Sequence, residues 1–286
     1  MGGANRPGVE RFLAAAAKLR PGDVALLGLP FDANSSFARG PALGPARLRE
    51  VLYSGSGNWF TELGAEVAPG AGWVDLGDLE IPAEPGFRGE IEEGVKAILS
   101  RDAIPLAIGG DHSVTYPLVR GVSALAGPPQ IVHLDAHGDL YDTLDGNRYS
   151  HATPFARIME EGCASGLLQI GLRSLTAHQR EQGRRLGVEM VEMRELDLST
   201  LVSRLPKGPV YLSLDIDVLD PAYAPGVSHH EPGGMTPREL FSILHALEGP
   251  IVGADVVELN PHRDHAGITA AVAAKSVKEV LGRLLS

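Results

Sequence analysis

Val210-Tyr211-Leu212-Ser213-Leu214-Asp215-Ile216-Asp217 is a short apolar run that ends on two aspartates. Ile131-Val132-His133-Leu134-Asp135-Ala136-His137-Gly138-Asp139 repeats the arrangement with a histidine between the acids. Both runs have strand length and are rich in branched aliphatic residues. Neither alternates strictly between polar and apolar, which is the pattern of a strand covered on both faces, as in a parallel sheet. Outward from these two runs, further apolar stretches at 24–30, 73–76, 104–108, 167–170, 188–191 and 251–259 read as strands. Amphipathic stretches at 88–100, 114–125, 154–161, 176–186, 195–204, 237–247 and 267–284 read as helices, with Pro154 and Pro237 at first-turn positions. Strand and helix in alternation predict an α/β fold of three layers, αβα, around a central, mostly parallel sheet. No repeat or Ser-rich linker divides residues 1–286, so one domain is expected. The Gly- and Pro-containing stretches 138–150 and 220–236 read as active-site loops.

Composition narrows the function classes. The 286 residues are 44% hydrophobic and 21% charged, which excludes disorder, coiled coil and collagen. No apolar run approaches the ~18 residues of a membrane span. Residues 12–17 are flanked by Glu10, Arg11 and Lys18 and read as an amphipathic helix instead of a signal peptide. Arg6 stands where a myristoylation signal takes Ser or Thr, so a cytoplasmic protein without a membrane anchor is expected. Cys163 is the only cysteine, which excludes a disulfide framework, a thiolate zinc site and an iron–sulfur cluster; any metal must use His, Asp or Glu. A net charge of −11 argues against nucleic acid or anionic membrane as a partner and suits a cationic small molecule.

In open parallel sheets, ligands bind beyond the carboxyl ends of the strands, so polar residues just after an apolar run carry most weight. Four such endings stand out: residues 109–113 (GGDHS), 135–139, 215–217 and 255–258. Residues two apart on a strand share a face, which pairs Asp135 with His137 and Asp215 with Asp217. Asp135, Asp139, Asp215 and Asp217 gathered at one sheet end would repel one another and raise each other's pKa unless cations neutralise them. With His112 and His137 they suffice for two cations if some carboxylates bridge. Oxygen-rich ligation with two imidazoles favours Mn²⁺, with Co²⁺ or Zn²⁺ as substitutes. His133 lies deeper in its strand and reads as a satisfied core histidine. Asp111 reads as the organiser of its Gly-rich turn, and Asp255 as locally hydrogen-bonded. His178 and His245 fall on solvent faces of helices. His229, His230, His262 and His265 fall in loops near the expected mouth and read as solvated, with His229 retained as a candidate substrate contact.

At these residues the sequence resembles the ureohydrolase family, which includes arginase, agmatinase, guanidinobutyrase, proclavaminate amidinohydrolase and formimidoylglutamase. The resemblance rests on GGDHS at 109–113, DAHGDLYD at 135–142, SHATPF at 150–155, SLDIDVLDPAYAPG at 213–226, EPGG at 231–234 and DVVELNP at 255–261, in the family's order over most of the chain. It implies the arginase-like fold, two Mn²⁺ per chain, a trimer or hexamer, and hydrolysis of a guanidino compound to urea and an amine. It also implies His112, Asp135, Asp139 and Asp215 as ligands of one manganese and Asp135, His137, Asp215 and Asp217 as ligands of the other. Glu258 would face the guanidinium and His151 would shuttle protons. Chemically, a water between two dications becomes a nucleophile near neutral pH. Glu258 would orient the guanidinium through a bidentate contact, Asp139 would take up the proton from the water, and His151 would protonate the departing amine. The ligand set retains a net negative charge when filled, which suits a cation. A phosphate ester would need Lys or Arg in these motifs, and none is present.

The substrate is read from departures within the resemblance. Arginases follow the second aspartate of this motif, Asp139 here, with Ile-Asn, which helps hold the substrate carboxylate, whereas this chain has Leu140-Tyr141-Asp142. Glu231-Pro232-Gly233-Gly234 resembles agmatinases, and a loop carboxylate suits agmatine's distal ammonium. Agmatine cleavage to putrescine, a step of polyamine metabolism, is therefore the leading expectation. Val227-Ser228-His229-His230 and Asn34-Ser35-Ser36-Phe37-Ala38-Arg39-Gly40 depart from the usual agmatinase pattern, which keeps guanidinobutyrate-like acids and arginine as alternatives. Candidate substrate contacts are Tyr141, His229, Glu231 and Arg39. A catalytically silent metabolite-binding homologue is the reading from a different class, and the intact ligand set speaks against it.

Overall fold

The computed structural model describes residues 7–82 and 86–286; the Met1–Arg6 stretch read above for lipidation lies outside them. Eight strands, β1 (Val24–Gly28), β2 (Trp73–Asp78), β3 (Ile104–Ile108), β4 (Gln130–Leu134), β5 (Gly166–Leu172), β6 (Glu189–Glu192), β7 (Val210–Asp215) and β8 (Ile251–Val257), form one sheet in the order β2-β1-β3-β8-β7-β4-β5-β6. Every pairing is parallel. The nine α-helices among the described residues are α1 (Pro7–Ala16), α2 (Gly44–Leu52), α3 (Phe87–Leu99), α4 (Thr115–Ala126), α5 (Pro154–Glu160), α6 (Ala177–Leu186), α7 (Leu198–Leu201), α8 (Pro237–Ala246) and α9 (Ile268–Leu284).

Strand side chains alternate between two hydrophobic layers. Val24, Leu26, Leu106, Ile108, Val132, Leu134, Leu212 and Leu214 pack with α2, α8 and α9. Ala25, Leu27, Ala107, Ile131 and Tyr211 pack with α1, α3, α4 and α5. Burial on both faces is what the near-continuous apolar strands foretold, and the three-layer αβα fold is borne out. The amphipathic helix expected at 12–17 is α1, which buries Val9, Phe12 and Ala16.

Two local readings change. Helix α2 was missed because it opens on Gly44-Pro45 within a Gly- and Pro-containing stretch, yet Pro45 occupies a first-turn position where its fixed φ favours a helix. The helix expected at 195–204 breaks into α7 flanked by 3₁₀ turns, because the Asp197 side chain accepts from Ser199 N and starts a new helix there. Among the described residues no helix is long and apolar enough to cross a membrane.

Candidate metal centre

The four central strands, β3, β8, β7 and β4, deliver the expected residues to one end of the sheet. His112 follows β3, Glu258 follows β8, Asp215 ends β7, and Asp135, His137 and Asp139 follow β4. The turn after β3 requires glycine at position 110, because a Cβ there would lie 1.7 Å from the Phe31 carbonyl oxygen. Asp111 then accepts from Ser113 N (3.1 Å) and Asn34 N (3.0 Å), so it organises the turn and pins the 32–40 loop beside it. Burial and the charge of Glu258 push Asp111 up to about 6. Asp139 (φ 48°) and Glu258 (φ 66°) both adopt left-handed backbone, a conformation costly for non-glycine residues and concentrated at functional sites.

Beneath the site runs a polar belt in register across four strands: Gln169 opposite His133, His133 opposite Ser213, and Ser213 opposite Asp255. All four are fully buried. His133 accepts from Gln169 Nε2 at Nδ1 (2.9 Å) and donates from Nε2 to Asp135 Oδ2 (2.8 Å). Both ring nitrogens are thus used, and burial lowers its pKa, as befits a neutral core histidine that orients Asp135. Asp255 accepts from Ser213 Oγ (2.7 Å), Tyr211 (2.7 Å) and Thr115 (3.0 Å). Its partners come from β7 and α4, not from its own segment. Because Ser213 spends its hydrogen on Asp255, it accepts from His112 Nε2 (3.0 Å), which fixes the hydrogen of His112 on Nε2. Ser213, Gln169 and Asp255 are the supporting residues whose roles the sequence reading missed.

His112 Nδ1 is consequently the ring nitrogen that faces acids. Asp135 Oδ2, Asp139 Oδ2 and Asp215 Oδ2 each lie 3.2 Å from it. Nδ1 nonetheless makes no hydrogen bond of acceptable geometry, so the three oxygens sit off its axis. Each of these separations is close to the roughly 3.0 Å between neighbouring ligands that sit about 2.1 Å from one metal at right angles. His137 Nδ1 lies 3.0 Å from Asp217 Oδ2 and 3.3 Å from Asp135 Oδ1, so the two oxygens of Asp135 face two separate donor sets.

The electrostatics without a cation are strained. Burial, then Asp217 and Asp135, push Asp215 well above the carboxylate range. Burial lifts Asp217 to about 6 against the pull of His137. Burial opposes charge on His112 and His137, but their carboxylate neighbours drive both imidazoles well above their ordinary value. Divalent cations relieve this arrangement, and the donor set fits them.

Glu258 Oε1 accepts from His112 N (2.9 Å) and pairs with His151 Nδ1 (3.1 Å). Burial works against charge on both groups, yet the pairing lifts His151 to about 9 and lowers Glu258. With Oε1 engaged twice, Oε2 is the oxygen of Glu258 left without a hydrogen bond from His112 or His151. These residues wall a cavity of about 260 Å³. Tyr141, His229 and Glu231 line it, as do Ser36, Ser174, Thr176 and Gln179. Glu231 accepts from Ser174 Oγ (3.0 Å) and lies 3.7 Å from His137 Nε2. Arg39 is not brought into this lining: its exposed guanidinium donates to the Ala33 carbonyl (3.0 Å) within its own loop. Arg173, unremarked in sequence, braces the mouth through Asp217 O (2.7 Å) and Glu231 O (2.8 Å). His178 is exposed as expected, whereas His245 is largely buried and meets Glu279 Oε2 (2.8 Å).

The sequence model of the arginase family matches residues 22–282. A mitochondrial arginase 1 from rice (Oryza sativa subsp. indica) is 49% identical over 91% of this chain and 81% of its own length. A Bacillus cereus agmatinase is 33% identical over 94% of each chain. Among solved structures, the arginase from Medicago truncatula superposes with a TM-score of 0.90 at 41% identity, covering 97% of this chain and 95% of that one.

Proposed function

The chain belongs to the arginase family of ureohydrolases, and from that premise we propose that it uses two Mn²⁺ to hydrolyse L-arginine to ornithine and urea. The observation that carries the metal reading is His112 Nδ1 set 3.2 Å from three separate carboxylates. His112, Asp135, Asp139 and Asp215 would hold one ion; Asp135, His137, Asp215 and Asp217 would hold the other. Oxygen-rich donors with two imidazoles suit manganese. When bound, the ions supply a water acidified toward neutral pH as the nucleophile.

The remaining work falls to side chains. Glu258 Oε2 receives a guanidinium N–H in a charge-assisted bond and turns the carbon toward the carboxylate cluster. Asp139 takes up the proton shed by the attacking water. His151, held as a cation by Glu258, supplies the proton that the departing nitrogen needs.

Arginine leads because the arginases from rice, Arabidopsis, Medicago and soybean are 44–49% identical to this chain, against 33% for the agmatinases. The hydroxyl of Thr176 and the amide of Gln179 in the cavity wall suit a carboxylate without a counter-cation. Agmatine is the second reading, favoured by Glu231 and by a lining that includes no Lys or Arg among the described residues. Urea release from both substrates by Mn²⁺-loaded protein decides between them. A higher kcat/KM for arginine supports the proposal, and a higher value for agmatine replaces it with the second reading.

A further inference from the structure

The loop Asn34–Gly40, which departs from the pattern expected in sequence, carries a residue that the scheme above leaves unused. Ser36 lines the cavity, and its Oγ lies 2.9 Å from His151 Nε2. The other ring nitrogen of His151 is taken by Glu258 Oε1 at 3.1 Å. The face of the ring is covered by His229, with centroids 5.3 Å apart and planes 29° from parallel. His151 is therefore fixed at both nitrogens and on one face, and neither of its N–H groups points freely into the cavity. The loop itself is held firmly. Asn34 N donates to Asp111, Asn34 O accepts from His151 N (3.2 Å), and Ala38 O accepts from Asn260 Nδ2 (2.7 Å) and Ser228 Oγ (2.9 Å).

We infer that Ser36 is a further catalytic residue, whose hydroxyl relays the proton from His151 Nε2 to the leaving nitrogen. The inference rests on the ureohydrolase reading of the same site. Among the described residues Ser36 Oγ has His151 as its hydrogen-bond partner. When the imidazolium donates to Oγ, the hydroxyl hydrogen is left to point into the cavity. As the bond between the guanidino carbon and the chain nitrogen breaks, its electron pair takes the Ser36 hydroxyl hydrogen. Oγ takes the Nε2 hydrogen of His151 in the same movement. Ser36 ends unchanged, His151 ends neutral, and solvent returns its proton. Burial works against the charge, but the hydrogen bond and charge of Glu258 outweigh it and lift the imidazole to about 9, so the donor form is the resting form at neutral pH.

The isosteric pair Ser36→Thr and Ser36→Val separates the hydroxyl from its volume. Ser36→Thr is expected to keep kcat within about threefold of wild type, while Ser36→Val loses about 10- to 100-fold in kcat with little change in KM. A guanidinooxy analogue, whose aminooxy leaving group is far less basic than an alkyl amine, should be spared most of the Val penalty. In a His151→Asn background, Ser36→Val should add no further loss, because the relay has already lost its source. Full kcat in Ser36→Val, an equal loss on the guanidino and guanidinooxy substrates, or additive losses with His151→Asn would overturn the relay. Failure of wild type to release urea from any guanidino compound would instead overturn the ureohydrolase reading, and it is seen before any variant is made.

Discussion

Replacing Ser213 with Ala tests whether the buried belt sets the ligand state of His112. In the structure, Ser213 Oγ accepts from His112 Nε2 at 3.0 Å and donates to Asp255 Oδ1 at 2.7 Å, with all three residues fully buried. Removing Oγ leaves the Nε2 hydrogen without an acceptor in a layer closed to water, a penalty of about 1–3 kcal/mol. The neutral ring, the form that ligates a metal, can escape that penalty by moving its hydrogen to Nδ1, toward the three carboxylates 3.2 Å away. A protonated Nδ1 cannot ligate, so metal binding must reverse the shift and bears the cost. Loss of such a supporting partner typically lowers metal affinity 10- to 100-fold, or about 1.4–2.7 kcal/mol, which agrees with the hydrogen-bond figure. Competition between protein and a chelator for Mn²⁺, read against free metal, gives the affinity directly. Ser213→Ala is expected to bind at least about tenfold more weakly than wild type. Equal affinity would mean that the hydrogen on Nε2 does not govern ligation, and the argument from tautomer to metal would fail.

Two further outcomes follow from other parts of the site and core. Glu258→Gln keeps its place beside His112 and His151 but loses the charge that holds both the imidazolium and a guanidinium. It should retain metal by elemental analysis while urea release falls by about 10²–10³; metal loss in proportion to activity would contradict a separate role for Glu258. Glu279, buried, accepts from Glu62 N (2.9 Å), His245 (2.8 Å) and Lys275, and although burial opposes it these partners lower its pKa. A depressed folded pKa gives stability that is present above the unfolded value of about 4.3 and is lost as pH falls below it. The Tm gap between wild type and Glu279→Gln should therefore be widest near pH 6 and above and shrink toward pH 4 and below; a gap independent of pH would show that packing, not charge, accounts for it.

Much of this architecture was legible because polarity was concentrated at strand ends. An apolar run such as residues 210–214 leaves a two-sided strand little alternative, and carboxylates at its end must either meet cations or stay protonated. His133 was legible as a core histidine for the same reason: its depth in β4 puts it below the ligands. Less legible were groups whose partners lie far away in sequence. Ser213 and Gln169 looked like lone polar residues in apolar strands, and only the register of β5, β4, β7 and β8 aligns them into a belt. A polar residue two positions before a strand-end acid was the available signal, and it applies to both His133 and Ser213. Arg39 could be placed at the mouth by loop proximity, but its direction depends on the backbone of its own loop, where the Ala33 carbonyl captures it. His245 looked solvent-facing on helical periodicity alone, because Glu279 reaches it from α9. Helix α2 was hidden by glycine and proline that serve its first turn. Substrate choice depends on a few cavity-wall groups, and the departures around Tyr141 and Glu231 leaned toward agmatine while similarity across the chain leans toward arginine.

Urea release from L-arginine, followed while Mn²⁺ is returned stepwise to metal-stripped protein, tests the central claim most directly. The account predicts no activity in the stripped protein and a rise that reaches its plateau at two equivalents per chain, matching the two donor sets that share Asp135. Full activity at one equivalent, or urea release from protein carrying no transition metal, would contradict it.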